Sequence, residues 1–233
     1  FPPRRSSDLW GYCSLKPEEK PAWEFIVEEV NEHPGEVTIM AVGACTNVAM
    51  AIMSDPTFAE KTAGIYYMGG AIDVPGNDTP CAERNWYYDP ESVDICLRAN
   101  FPKQVIVPHD ISYNQKLTKD LVEHIVETGD TVYNNLIEEH AYPKFAEDPE
   151  RKQSLWDAQV PGIFLCPDLI SKTDVRDVAM VTDMGYAYGE SVAWPEGTGP
   201  EGSTTCTIVY DVDGEAYWNF VADLYSTDFS AAE

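Results

Sequence analysis

Apolar residues at Trp23, Ile26, Val27 and Val30 recur at i, i+3, i+4 and i+7, the stripe of an amphipathic helix over residues 21–32. Pro34-Gly35 breaks that helix, and Val37-Thr38-Ile39-Met40-Ala41-Val42 follows as a continuously apolar run expected to form a buried strand. Thr46 is placed to cap a second helix reaching Met53, and Gly64-Ile65-Tyr66-Tyr67-Met68 reads as a second buried strand. Asp89-Pro90-Glu91 opens a helix with proline at its first position, running to Ala99. Val105-Ile106-Val107 is a third strand, helical stretches follow over 118–127 and 130–140, and 155–165 is an apolar segment. The first twenty residues are polar and rich in proline, which predicts a loop. Near the end, Thr205 to Tyr210 and Ala216 to Phe220 flank Asp211-Val212-Asp213-Gly214, a hairpin pattern. Asp-x-Asp-Gly also opens some calcium loops, but the later ligands are missing, so a turn is expected. Alternating strands and helices imply an open, mostly parallel, doubly wound α/β sheet with helices on both faces and a small antiparallel hairpin near the C-terminus.

Composition narrows the function. At 233 residues the chain can build one large core, and we expect a single α/β domain over 1–233. Its 44% hydrophobic and 12% aromatic content argues against disorder. With 40 acidic against 15 basic residues and a net charge of −25, neither nucleic acid nor an anionic membrane is an expected partner. No apolar run reaches the roughly 18 residues of a spanning helix. The abrupt start at Phe1-Pro2-Pro3 reads as a cut or processed end, so the compartment stays open between extracellular and cytoplasmic, with a lean to the former. Six scattered cysteines, none in C-x-x-C spacing, suit buried thiols, with secretion and one or two disulfides as the alternative.

Ligands of such sheets bind on loops leaving the carboxyl ends of the strands. After Met68, the stretch Gly69 to Asn85 carries glycines at 69, 70 and 76 that permit close backbone approach. Asn77, Glu83 and Asn85 add amides and a carboxylate suited to sugar hydroxyls; the plainer reading is a polar surface loop. Asp157, where an apolar helix begins, is either a helix cap or a ligand for a hard cation such as calcium. His109-Asp110 is not expected to act as a dyad, since neighbours on an extended segment point apart. Cys45 lacks the setting of a nucleophile.

Three longer motifs resemble the inosine/uridine-preferring nucleoside hydrolases nearly end to end. Pro34-Gly35-Glu36-Val37-Thr38 with Gly43-Ala44-Cys45-Thr46-Asn47-Val48-Ala49 is similar to PGEVT…GPLTNxA. Met68-Gly69-Gly70, Gly76-Asn77-x-Thr79-Pro80-x-Ala82-Glu83-x-Asn85 and Asp89-Pro90-Glu91 resemble MGG…GNxTPxAEFNxxxDPEA. Pro108-x-Asp110-Ile111-Ser112 is similar to PLDVT, and Leu155-Trp156-Asp157-Ala158 stands where the family carries His-Asp.

The resemblance implies calcium-dependent hydrolysis of the N-glycosidic bond of ribonucleosides by a homodimer or homotetramer. It assigns Asp157 and the Thr46 carbonyl to calcium, Asn77, Glu83 and Asn85 to the ribose hydroxyls, and Met68 to the sugar. Glu83, Asn85 and Trp156 then carry the chemistry, because cleavage passes through a cationic ribosyl group. The family's opening DxDxxxDD run, source of the water-activating base and further metal ligands, is not in this sequence. The chain alone is therefore expected to be an inactive fragment. Trp156 replaces the histidine that protonates the leaving base in pyrimidine-accepting members, a substitution similar to the purine-specific group, so purine nucleosides are the expected substrates. The competing expectation is a non-catalytic binding protein on the same fold.

Overall fold

The structure, a computed structural model, describes residues 16–227. Residues 16–20 of the expected opening loop carry no helix or strand; Cys13 and the rest of that loop lie outside the described residues. The amphipathic stripe forms α1 (Ala22–Glu32) and is followed by β1 (Thr38–Ala41), α2 (Thr46–Ser54) and β2 (Gly64–Met68). A single turn, α3 (Arg84–Tyr87), precedes α4 (Pro90–Arg98), which Asp89 caps by accepting the Ser92 N–H at 3.1 Å. After β3 (Gln104–Val107) come a one-turn α5 (Ile111–Asn114), a short β4 (Lys116–Leu117) and α6 (Lys119–Thr128). Helices α7 (Val132–His140, boxed by Thr131 and Asn134) and α8 (Tyr142–Glu147) lead to β5 (Gln153–Ser154) and α9 (Gln159–Leu165). Strands β6 (Ile170–Met180), β7 (Ser191–Pro195) and β8 (Thr204–Val212) and helix α10 (Gly214–Tyr225) complete the described chain.

The main sheet has the order β1-β2-β3-β8-β6-β7. Its first three pairings are parallel, while β6 runs antiparallel to both β8 and β7. Strands β4 and β5 form a separate antiparallel pair. Alternate side chains sort to the two faces, as the pleat demands. Ile65 and Tyr67 of β2, Ile106 of β3 and Ile208 of β8 join the core made with α1, α2 and α4. Tyr66, Met68, Val105, Val107 and Val209 join the opposite core, made with α6, α9 and α10.

Three local expectations need correction. The hairpin expected over 205–220 does not form there: its first limb is β8, but the second is α10, capped by Asp213 accepting the Ala216 N–H at 3.1 Å, and the antiparallel partners late in the chain are β6 and β7. The aromatic run over 216–220 is one face of a longer helical stripe, with Tyr217, Trp218, Val221 and Ala222 buried. Thr46 does not cap α2; Cys45 holds the cap position and the Thr46 hydroxyl donates to Asp89 instead. Strand β1 is the first strand of the sheet, with β2 on one side only, and it is half-buried except at Ala41. Strands β6 and β7 carry no clear apolar period, and local pattern does not reveal them; the middle of β6 is exposed.

The five described cysteines, Cys45, Cys81, Cys96, Cys166 and Cys206, are free thiols, three of them buried. Burial pushes the Cys206 thiol up to about 12, so it is protonated at neutral pH and unreactive.

The site follows from this topology. Met68 and Val107, the last residues of β2 and β3, are register partners, so the loops leaving both strands start from one edge of the sheet.

Candidate functional site

The loop after β2 folds back on itself around its glycines. Gly70 adopts φ +81°, a region L side chains avoid, and a Cβ on Gly69 would lie 2.0 Å from the buried Trp86 indole nitrogen. Three outside groups hold the loop. Asp110 accepts the N–H groups of Ile72 at 2.9 Å and Asp73 at 2.8 Å. Ser191 accepts from Ala71 N and donates to Ala71 O, both at 3.0 Å. Arg176 approaches the Asp73 carboxylate at 3.4 Å.

So held, the loop places four side chains about a cavity of roughly 140 Å³ lined by Met68, Asn77, Glu83, Arg84, Asn85, Trp156 and Asp157. Glu83 is buried and caps α3. Its Oε1 accepts from Asn85 N at 2.9 Å, and its Oε2 accepts from Gly70 N and Trp86 N at 3.2 Å each. Burial nonetheless raises its pKa above the ordinary carboxylate value, and the nearby Asp157 charge adds to the rise against those three hydrogen bonds. Asn85 Nδ2 donates to the Met68 carbonyl at 3.1 Å and contacts its sulfur at 3.0 Å, leaving Oδ1 as an acceptor. Asn77 Oδ1 accepts from Arg84 N at 2.9 Å, leaving Nδ2 as a donor.

The far wall comes from the segment between β5 and α9. Leu155 and Ala158 line a separate apolar cavity against α6, α9 and α10, while Trp156 and Asp157 face the polar one. Asp157 does not cap α9, whose cap position is Ala158 with no side-chain hydrogen bond. Among the described residues its carboxylate has no partner, and desolvation raises its pKa. A donor, an acceptor, two carboxylates and an aromatic face around one hollow suit a polyhydroxylated ligand with a flat, stackable group.

Similarity to known proteins agrees with that geometry. The family model described as inosine-uridine preferring nucleoside hydrolase matches residues 2–219. The chain belongs to that family.

Uridine nucleosidase 1 of Arabidopsis thaliana is 44% identical over 107 residues, which are 46% of this chain and 32% of that protein. A pyrimidine-specific ribonucleoside hydrolase, RihA of Citrobacter koseri, is 29% identical over 222 residues, 90% of this chain and 67% of its own. The solved plant nucleoside hydrolase PpNRh1 superposes with a TM-score of 0.80 at 27% identity, over 93% of this chain and 70% of that one. This family member thus spans about a third of the Arabidopsis protein and about two thirds of the longer-matching relatives.

Of the residues the sequence singles out, six line the cavity: Met68, Asn77, Glu83, Asn85, Trp156 and Asp157. Thr46 is not among the lining residues and is bonded to Asp89. A calcium ion takes six to eight oxygen ligands. Here Asp157 is the single lining carboxylate without a partner, since both Glu83 oxygens accept backbone N–H groups. No group of three His, Cys, Asp or Glu able to hold a metal occurs among the described residues. The donors among the described residues do not fit calcium on their own.

His109 and Asp110 are not a dyad, although Asp110 is helical rather than extended: its carboxylate turns to the loop N–H groups, and His109 turns to Trp156. Sequence reasoning passes over Arg84 and Ser191, and weighs His109 only as half of a dyad with Asp110. Arg84 stands where the family motif has Phe, lines the cavity, and donates Nε to Asp78 at 3.3 Å; a cation in an acidic stretch was its one signal. Ser191 meets Ala71 across 120 positions, which nothing local encodes.

Proposed function

We propose that this protein binds ribonucleosides and that the reaction it serves is hydrolysis of the N-glycosidic bond, yielding free base and ribose. The observation that carries the reading is the meeting of Asn77, Glu83 and Asn85 from one loop with Trp156 and Asp157 from another around one hollow. Ribose hydroxyls both donate and accept, and the free Asn77 Nδ2, Asn85 Oδ1 and Glu83 lone pairs answer that need. As the glycosidic bond breaks, positive charge grows on the ribosyl group. Glu83 places its carboxylate where that charge develops, and bonds to fixed hydroxyls tighten with it. Three backbone donors already orient the carboxylate, so no reorganisation is needed as the charge appears.

Trp156 lines the cavity and supplies the flat face for the base. We assign purine nucleosides as the preferred ligands, because the larger ring system gains more from stacking and, among the described residues, no histidine stands in the lining to protonate a departing pyrimidine. The named relatives include uridine- and pyrimidine-acting proteins, so inosine against uridine is the deciding comparison.

The incomplete donor set among the described residues favours a second reading, binding without turnover. The test is ribose release from inosine by the 233-residue chain, run beside calorimetric titration with inosine. Binding with release supports the enzyme, binding without release supports the second reading, and neither binding nor release ends both.

A further inference from the structure

Trp156 is 39% exposed, on a segment between a two-residue strand and a short helix, and an indole so placed needs something to fix its plane. The anchor lies 47 positions earlier: Trp156 donates Nε1–H to Nδ1 of His109 at 3.3 Å. An indole nitrogen is donor only, so this contact requires the lone pair on Nδ1 and places the ring proton on Nε2. His109 is itself held firmly and is 8% exposed. Its backbone N–H donates to Gly70 O at 2.8 Å, tying it to the glycine whose own N–H meets Glu83. Ser112 Oγ donates to the His109 carbonyl at 2.7 Å and sits 3.0 Å from Nδ1. Tyr113 packs edge-on against the imidazole, with centroids 5.3 Å apart. Desolvation lowers the His109 pKa, which keeps Nδ1 available as an acceptor at neutral pH.

We propose that His109 is a positioning residue for nucleobase recognition, fixing the Trp156 indole through its N–H so that the ring meets the base in one orientation. This rests on the ribonucleoside reading of the cavity. His109 is not among the lining residues, so it acts through Trp156 rather than on the ligand. The chain of contacts from Glu83 through Gly70 and His109 to Trp156 sets the sugar-binding wall and the base platform in mutual register. A ligand with both ribose and base gains from that register, whereas ribose alone does not.

The test uses the whole chain and three variants. The Trp156 indole N–H resonance is assigned in a 15N–1H spectrum by its loss in Trp156→Phe, then followed in His109→Leu and His109→Asn. Inosine and free ribose are titrated into each. In His109→Leu the resonance is expected to shift or broaden, and inosine binding to weaken about threefold to tenfold, as loss of one hydrogen bond predicts; ribose binding stays unchanged. His109→Asn, whose Oδ1 stands near the place of Nδ1, restores both. An unmoved resonance in a folded His109→Leu overturns the proposal, as does equal weakening of ribose and inosine. Should wild type bind neither ligand, the ribonucleoside reading fails and base recognition with it, while the resonance still decides whether His109 anchors the indole.

Discussion

Oε1 of Glu83 accepts the main-chain N–H of Asn85 at 2.9 Å, so the carboxylate facing the cavity also caps the helix that carries the neighbouring amide. One side chain thereby fixes two of the groups offered to a sugar. Two more N–H groups, from Gly70 and Trp86, converge on its other oxygen.

Glu83→Gln replaces one acceptor oxygen with an NH₂ group facing backbone donors. Leaving a buried donor unpaired costs about 1–3 kcal/mol. At this chain length that lowers Tm by roughly 2–4 °C per kcal/mol. Thermal denaturation checks it, and an unchanged Tm would mean that the cap is not made.

The pH dependence follows from the raised pKa of Glu83. The fold favours the protonated carboxyl, so its stabilising contribution is full below the unfolded value of about 4.3 and is lost as pH rises through the folded value. The stability difference between wild type and Glu83→Ala is therefore expected to be larger at pH 4 than at pH 7. Chemical denaturation at both values reads it directly. A difference that grows with pH contradicts the assignment.

Trp156→Ala removes the proposed base platform. Stacking of a base on an aromatic ring is worth about 1–3 kcal/mol, so inosine affinity should fall about tenfold or more while ribose affinity holds. Uridine binding as tight as inosine binding in the unaltered protein defeats the purine assignment.

Calcium is expected to leave this chain's Tm unchanged. An ion present at a hundred times its Kd stabilises by about 2.7 kcal/mol, which would raise Tm by several degrees. A calcium-specific rise of that size, abolished in Asp157→Asn, would show that the donors close into a site after all.

Much of the molecule was legible from local pattern. The stripe from Trp23 to Val30, the apolar runs ending at Met68 and Val107, and proline after Asp89 each mark an element through neighbours a few residues away. The cavity residues were legible for a different reason: Met68 and Asn77 to Asn85 fall within one stretch that a specific motif names, and a separate match marks the distant Trp156 and Asp157. Thr46 shares a motif too but lies outside that lining, bonded to Asp89 across 43 positions.

Periodicity and turn chemistry act over a handful of residues, and so the chain by itself determined its early helices and parallel strands, and the family to which its motifs belong. Pairing is settled by surfaces that meet only after folding. Tertiary structure alone decided that the polar β6 lies between β7 and β8, and that an aromatic run after Gly214 closes a core as helix rather than strand. It alone set Trp156 against His109, because that hydrogen bond joins the loops after two different strands and has no trace in either one's local sequence.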